Sequence, residues 1–456
     1  YIHIVENTAL NLKDTALAGG AIKGEKALDR LCGLFGVTAA DKYDKALAVA
    51  EMVLADLYKP EYEKMALVNK LAYAPRRANW EKLGILPGGA NAEIVKGVVT
   101  CSTNLNSDGR YAAPVSSSAY DGPRPDATNL LNDVMLASRR SALPRRAWRH
   151  DPDYINIMIT GHQHSCFSYL QDRLTDPEVT AKAAAVGAKG FRLVGCTCVG
   201  QDLQLRGAHY EEVFVGHAGN NYTSEAVLAT GAIDAVLSEF NCTLPGIEPI
   251  CDMLNIKQVC LDDVAKKSNA EYMPFVFESR ASDSDRIIDA VIASYKARRG
   301  EVALNLQPEH GNSDTLTGVS EVSLKDFLGG SWKPLIDLIV SGDIKGVAGV
   351  VGCSNLTFGG HDVLTVELTK ELIKRDIIVL SAGCSSGGLE NCGLMSPEAA
   401  ELAGPKLRAI CEKLGIPPVL NFVPASRSDA WRSCDGACRG DRNRSTQMLV
   451  LCAAVA

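Results

Sequence analysis

FRLVGCTC, residues 191–198, is a short apolar run that ends in two cysteines. Similar apolar runs lie at 155–159, before this stretch, and at 234–238, 346–352 and 377–381 after it, with helical stretches between them. Strands that alternate with helices predict βαβ units and a parallel sheet. The stretch therefore indicates an α/β protein whose strands lead into chemically reactive side chains.

The segment before these strands has a different pattern. Residues 46–57 place apolar side chains at the spacing of an amphipathic helix and end before Pro60. Pro75 and the Leu-Pro-Gly-Gly stretch at 86–89 interrupt this pattern, which predicts several separate helices. We predict an N-terminal helical domain followed by two doubly wound, Rossmann-like parallel-sheet domains, the last one incomplete. The predicted ranges are 1–108 (helical domain), 109–150 (disrupted connector), 151–325 (first α/β domain), 326–422 (second α/β domain, truncated) and 423–456 (aberrant tail).

Composition excludes several classes of protein. The chain has 456 residues, of which 46% are hydrophobic and 22% charged, as in globular proteins of about three domains. Its net charge of −7 argues against a nucleic-acid partner. No apolar run approaches the roughly 18 residues of a membrane span, and the first residues do not resemble a secretory signal. Fifteen cysteines are too few for a disulfide scaffold, so we expect a cytoplasmic protein that keeps its thiols for metal.

The candidate site lies at the strand ends. In doubly wound sheets, ligands bind outside the carboxyl ends of the strands. Four predicted strands lead there into Cys198, Cys242, Cys353 and Cys384, and a fifth leads into His162. One such cysteine alone is more often a small buried hydrophobic residue. Five soft donors at the same end of successive strands predict a zinc, copper(I) or iron–sulfur site.

The remaining thiols and imidazoles are predicted to have other roles. No Gly-x-Gly-x-x-Gly follows a strand, so a dinucleotide site is not expected. His164 is equally compatible with a place beside the metal ligands and with a capping or core role, and Asp262-Asp263 is expected to cap a helix. A solvated loop position is slightly favoured for His217 and His361. Packing in the core is expected for Cys32, Cys196, Cys251, Cys260, Cys392 and Cys411.

The strand-end motifs closely resemble those of the anaerobic nickel–iron carbon monoxide dehydrogenases. The resemblance covers nearly the whole chain, is strongest from 151 to 422, and is closest to the branch near the archaeal acetyl-CoA decarbonylase/synthase large subunit. Hybrid-cluster proteins share the expected fold, but their motifs match less well. The motifs that carry the resemblance are Gly161-His162 and the segments 193–198, 239–246, 346–355 and 381–384.

The resemblance implies a nickel–4Fe–4S cluster held by one histidine and five cysteines. His162, Cys198, Cys242, Cys353 and Cys384 match five of these six positions. The implied reaction converts CO and water to CO₂, two protons and two electrons, which pass to an acceptor such as ferredoxin. It also implies relay 4Fe–4S clusters in a preceding segment, a homodimer and an acetyl-CoA synthase as a further partner. The alternatives are a hybrid-cluster protein resembling hydroxylamine reductase and a non-catalytic metal-binding remnant.

The chain departs from the family pattern at three places. The segment that carries the relay cysteines and an acid/base histidine would precede Tyr1, and the family's catalytic lysine has no counterpart, so no catalytic residue is assigned. The sixth ligand is expected where Val-Pro-Ala-Ser stands at 423–426. Restoring one base before Val423 permits Gly-Pro-Cys-Leu, which places a cysteine at Ala425. We therefore predict reading-frame errors in 109–127, 137–150 and 423–456, and an inactive polypeptide as written. The alternative is a divergent, Arg-rich loop and tail.

Overall fold

The structure is a computed structural model, and it divides into two compact units, Tyr1–Ala137 and Ser138–Ala456. The predicted frame errors lie outside the described residues, apart from 141–143 and 452–454. The boundaries of the predicted domains stay predictions. The residues described are 2–60, 63–72, 74–84, 86–92, 141–143, 151–161, 164–206, 213–220, 222–239, 242–243, 246–261, 267–276, 278–302, 304, 315–317, 321–352, 360–421 and 452–454.

The first unit is helical in its described part. Its longest helices pack through a core that includes Leu12, Leu28 and Val53, all at most 1% exposed. The third helix begins where the Asp41 carboxylate accepts hydrogen bonds from two backbone N–H groups of the first turn. The helix predicted over 46–57 is confirmed, with the predicted end. The helices are α1 (Ile2–Leu17), α2 (Glu25–Phe35), α3 (Lys42–Leu57), α4 (Ala66–Leu71) and α5 (Ala74–Lys82).

The second unit contains a six-stranded parallel sheet. Strand order is β4-β3-β2-β5-β6-β7, so β2 lies between β3 and β5. Before it in the chain, β1 (Ser141–Leu143) pairs antiparallel with β8 (Thr315–Thr317). The strands are β2 (Ile155–Thr160), β3 (Phe191–Cys196), β4 (Phe214–Gly219), β5 (Ala235–Ser238), β6 (Lys257–Cys260) and β7 (Glu271–Tyr272). The helices are α6 (His164–Leu174), α7 (Pro177–Ala185), α8 (Thr197–Arg206), α9 (Thr223–Leu228), α10 (Ile247–Met253) and α11 (Arg280–Arg298).

A four-stranded parallel sheet follows, with the order β11-β10-β9-β12. The residues of β9 and β10 are buried throughout, as expected for strands covered on both faces. Its strands are β9 (Gly346–Val351), β10 (Ile377–Ala382), β11 (Val419–Asn421) and β12 (Cys452–Ala454). The helices are α12 (Glu321–Phe327), α13 (Lys333–Val340), α14 (Val363–Ile373), α15 (Cys384–Asn391) and α16 (Pro405–Leu414), with a 3₁₀ helix at Pro397–Leu402.

The predicted α/β class is therefore confirmed. All five apolar runs of the sequence coincide with strands, namely β2, β3, β5, β9 and β10. Among the helices in the described part of the chain, none combines the length and the apolar character that a bilayer crossing needs.

Candidate metal centre

Strand order brings the predicted ligand positions onto neighbouring strands. In the first sheet, Cys198, His162 and Cys242 follow β3, β2 and β5, which are adjacent. In the second sheet, Cys353 and Cys384 follow the adjacent strands β9 and β10. Because each sheet is parallel, the positions within it share its carboxyl edge. His162 and Cys353 lie outside the described residues, and the other three lie within them.

The backbone that leads to His162 is held by both neighbouring strands. The Thr197 hydroxyl accepts a hydrogen bond from the Gly161 N–H at 2.9 Å, and the Val199 N–H donates to the Gly161 carbonyl at 3.0 Å. On the other side, a Cβ atom at Gly161, whose φ is +129°, would clash with the carboxylate of Glu239. Position 161 therefore accepts only glycine, and the direction in which the backbone leaves β2 is fixed.

Cys198 is the second residue of α8 and is 5% exposed. The helix lies directly on the end of β3, since a Cβ atom at Gly195 would be 2.5 Å from the Cα atom of Gly200. The first turn of a helix carries unpaired N–H groups, which favour negative charge nearby. A thiolate at Cys198 is compatible with this environment.

Cys242 has a strained backbone. Its φ of +61° lies in the left-handed region that non-glycine residues rarely adopt. The hydroxyl of Thr160, the last residue of β2, donates to the Cys242 carbonyl at 3.3 Å and lies 2.5 Å from the Thr243 hydroxyl. Such conformations persist where surrounding contacts hold them, and they cluster at functional sites.

Cys384 begins α15 and is 3% exposed. It follows Gly383, whose φ is +75° and where a Cβ atom would be 3.2 Å from the carbonyl oxygen of Gly352. That same carbonyl accepts from the Ser385 N–H at 2.9 Å and from its hydroxyl at 3.2 Å. The backbone before Cys353 is thus tied to the helix that begins with Cys384.

Buried polar side chains connect the two sheets beside these thiols. Glu390 of α15 accepts a hydrogen bond from the Gln204 side chain of α8 at 2.8 Å. Its other carboxylate oxygen lies 3.4 Å from Nδ1 of His217, and neither side chain is exposed. Nε2 of His217 lies 3.2 Å from the carbonyl oxygen of Thr197. These contacts join the helices of Cys198 and Cys384.

A second connection runs through Asn220, which directly follows β4. Its Nδ2 atom donates to the Asp362 carboxylate at 3.2 Å and to the Cys384 carbonyl at 3.5 Å. Its Oδ1 atom lies 2.7 Å from Nε2 of His361, and this acceptor role fixes the orientation of the amide. The His361 ring contacts the Tyr222 ring edge-on at 4.9 Å between centroids.

The buried cysteines behave as packing residues. Burial raises the pKa of Cys196, Cys251 and Cys411 to about 12, and the nearby Cys384 adds to the shift at Cys196. A thiol with such a pKa keeps its proton near neutral pH. The predicted core role is confirmed for Cys32, Cys196, Cys251, Cys260 and Cys411.

Some predictions for the other residues were wrong. Cys392 is exposed instead of packed, because it caps the end of α15. His217 is buried in β4 instead of solvated in a loop. The prediction failed because the glycine-containing strand FVGHAG does not resemble an apolar strand. His361 is mostly buried against Asn220 and Tyr222. His164 is the first residue of α6, and Asp262-Asp263 lies outside the described residues.

Sequence reasoning also missed several polar residues of the site. Thr197 and Asn220 directly follow strands, so a search for polar residues at strand ends would have found them. Glu390 and Asp362 carry no such signal, because they belong to the second sheet and meet the first only in the folded chain.

The donors fit a soft metal or an iron–sulfur group by their chemistry. Thiols and one imidazole at adjacent strand ends are the ligand types of such groups. Among the described residues alone, no three His, Cys, Asp or Glu side chains form a group that could hold a metal ion. A complete ligand set would require His162 and Cys353 as well.

Known proteins share both the sequence and the fold. A carbon monoxide dehydrogenase of Methanocaldococcus jannaschii is 43% identical over 436 residues, covering 92% of this chain and 68% of that protein. One of Methanopyrus kandleri is 39% identical over 439 residues, covering 93% and 67%. A nickel-free carbon monoxide dehydrogenase structure from Thermococcus sp. AM4 superposes with a TM-score of 0.79 at 25% identity, covering 96% of this chain and 71% of that one.

A further structure shares the fold alone. A chain of an acetyl-CoA synthase/carbon monoxide dehydrogenase structure gives a TM-score of 0.84 at 22% identity, covering 99% of this chain and 69% of that one. The model of the Prismane/CO dehydrogenase family matches residues 1–422. Together with the archaeal relatives, this match shows that the chain belongs to the Prismane/CO dehydrogenase family, an oxidoreductase family with metal–sulfur clusters.

Proposed function

We propose that the function of this protein is the oxidation of carbon monoxide, which converts CO and H₂O to CO₂, two protons and two electrons, and that the chain as written is inactive. The observation that carries the proposal is the set of soft donors that follow adjacent strands in two parallel sheets of a family member. The electrons would pass to a ferredoxin-like acceptor. From the resemblance of the sequence motifs we also propose a homodimer, relay 4Fe–4S clusters in a segment preceding Tyr1 and association with an acetyl-CoA synthase.

His162, Cys198, Cys242, Cys353 and Cys384 would hold a nickel–4Fe–4S cluster. When bound, this cluster would supply a binding site for CO, a Lewis acid for water and a store for two electrons. The position expected for a sixth ligand is occupied by Ala425. The chain as written would therefore hold the cluster with one thiolate fewer than the family pattern.

The protein itself holds the ligand side chains in place and excludes water from them. The hydroxyls of Thr197, Thr160 and Ser385 hold the backbone at or directly before three of the five ligand positions, namely His162, Cys242 and Cys353. Burial of Cys198 and Cys384 excludes water from the thiols. The first turns of α8 and α15 favour negative charge at the same two residues.

The proposal is tested by restoring the sixth thiol. We expect the chain as written, reconstituted without oxygen from iron, sulfide and nickel, to retain metal weakly and to show little CO-dependent viologen reduction. Ala425→Cys should raise the nickel and iron content per chain, and the chain with its preceding segment and its reading frames restored should also reduce viologen with CO. Ala430→Cys, which adds a thiol elsewhere in the same tail, is the matched control and should not raise the metal content.

Each alternative function predicts a different result. Stoichiometric nickel and iron in the restored chain without any CO-dependent reduction would indicate a non-catalytic metal-binding protein. Iron without nickel, together with reduction of hydroxylamine, would indicate a hybrid-cluster protein. Sequencing the gene tests the predicted frame errors, which an intact frame through 109–150 and 423–456 would exclude.

A further inference from the structure

We propose that Glu390 is a positioning residue that sets the distance between Cys198 and Cys384 across the two sheets. The inference rests on the proposed function, because it concerns the same cluster site. Glu390 belongs to α15, the helix that begins with Cys384. Its side chain is fully buried and extends toward the segment of the first sheet that carries Cys198.

One contact joins the two ligand-bearing helices directly. The Gln204 side chain donates to Oε1 of Glu390 at 2.8 Å. Gln204 lies in α8, whose second residue is Cys198. A buried hydrogen bond to a carboxylate is stronger than one between neutral groups, so this contact resists separation of the helices.

A second contact reaches the residue before Cys198. The carbonyl of Thr197 can only accept, so Nε2 of His217 carries the proton and donates to it at 3.2 Å. Nδ1 of the same ring faces Oε2 of Glu390 at 3.4 Å, and one proton held between these two atoms completes the link. The ring therefore connects the backbone of the Cys198 segment with the carboxylate of the Cys384 helix.

Close packing around the His217 ring fixes the distance between the two helices. A Cβ atom at Gly200 of α8 would lie 2.8 Å from Cδ2 of His217. A Cβ atom at Gly387 of α15 would lie 3.1 Å from Cε1 of the same ring. Gly200 thus lies too close to the ring for a methyl group, and Gly387 leaves less than an ordinary methyl contact. Close-packed interiors transmit strain. A shift of the ring would displace both helices.

The first test measures metal retention. In the reconstituted chain, Glu390→Ala should release iron to a chelator about 10-fold faster or more than the unaltered chain, the range typical of residues that orient metal ligands. Glu390→Gln keeps the shape and the bond to Gln204, and we expect it to restore most of the retention. Glu412→Gln removes an exposed carboxylate that pairs with Arg408, and it should release iron at the unaltered rate.

The second test needs no cluster. Cadmium ions are titrated into the metal-free chain, and the ultraviolet cadmium–thiolate band that disappears in Cys384→Ser defines the contribution of the site. Glu390→Ala should weaken this binding about 10-fold. Gln204→Ala removes only one contact of Glu390, so it should weaken cadmium binding less. If Glu390→Ala does not fold, Gln204→Ala tests the positioning role of Glu390.

The outcomes separate the two proposals. A lower denaturation midpoint for Glu390→Ala, with iron release and cadmium affinity unchanged, would mean that Glu390 is merely structural and would overturn the inference. If Ala425→Cys takes up neither iron nor nickel, the proposed function fails instead. The cadmium titration still tests the spacing in that case.

Discussion

Two buried carboxyl groups with nitrogen partners lie toward opposite edges of the first sheet. Near the amino edge, Nη1 of Arg298 is 2.9 Å from the carboxylate of Asp234, just before β5. Toward the carboxyl edge, His217 of β4 faces Glu390. In both places a carboxyl group is removed from water, which is costly unless further hydrogen bonds compensate. The two places differ in where those further bonds go.

The partners of Arg298 all belong to the first sheet and its connections. Its Nε atom donates to the Leu254 carbonyl at 3.0 Å, and Nη2 donates to the Gly231 carbonyl at 2.7 Å. These bonds join the end of α11 to the loops before β5 and β6. Glu390, in contrast, connects two sheets. The Arg298–Asp234 pair therefore stabilises the first sheet alone, whereas Glu390 aligns the first sheet with the second.

The largest expected effect is at Arg298. Arg298→Ala leaves the Asp234 carboxylate buried without its cation, and loss of one partner of a buried pair costs about 3–5 kcal/mol. Denaturant unfolding at neutral pH should show this loss in the free energy of unfolding. Metal content per folded chain should not change, because the amino edge is remote from the ligand positions.

Arg375→Ala is the matched control, since Arg375 pairs with Glu371 where both side chains are at least half exposed, and it should lower the free energy of unfolding far less. A loss of stability at Arg298→Ala as small as this would show that the amino-edge pair is not a stabilising element.

The pH dependence of Asp234 gives the next largest effect. Burial raises the pKa of Asp234 from 3.8 to about 6, against the lowering effect of its bond to the Asn156 N–H and of Arg298. Because the pKa is higher in the folded state, the Asp234 carboxyl contributes most to the free energy of unfolding below about pH 4. This contribution is lost as pH rises through about 6.

The chain should therefore lose up to about 3 kcal/mol relative to Asp234→Asn between pH 4 and pH 7. Urea unfolding of both proteins across this range measures the difference. A difference that is constant, or that moves in favour of the unaltered chain as pH rises, would contradict the raised pKa.

The strands, and the strand ends that the proposed ligands follow, were predictable, because each depends on neighbours in sequence. Apolar runs such as 155–159 and 377–381 show buried parallel strands, and parallel strands place their ends at one edge. β4 was missed because it is an edge strand with two glycines, Gly216 and Gly219.

The contacts that join the two sheets were not predictable. Gln204 and Glu390 are 186 residues apart, and Asn220 and Asp362 are 142 apart. Sequence periodicity describes which face of an element is buried, but it does not identify a polar partner at such a separation. These pairings depend on how two layers pack, and only the folded chain reveals them.

The smallest change in stability, and the sharpest test of the comparison, is expected at Asn220. Asn220→Ala removes hydrogen bonds to Asp362 and His361, and we expect a loss of about 1–3 kcal/mol. The amide also contacts the Cys384 carbonyl, so iron release should accelerate although the loss of stability is smaller than at Arg298.

Asn79→Ala, at an exposed helical position, is the control for removal of an asparagine side chain. Iron release is compared under conditions in which every variant is fully folded. Normal iron retention in Asn220→Ala together with loss of iron in Arg298→Ala would reverse the roles given to the two edges of the first sheet. The amino edge would then govern the metal site, and the polar contacts between the sheets would only stabilise the fold.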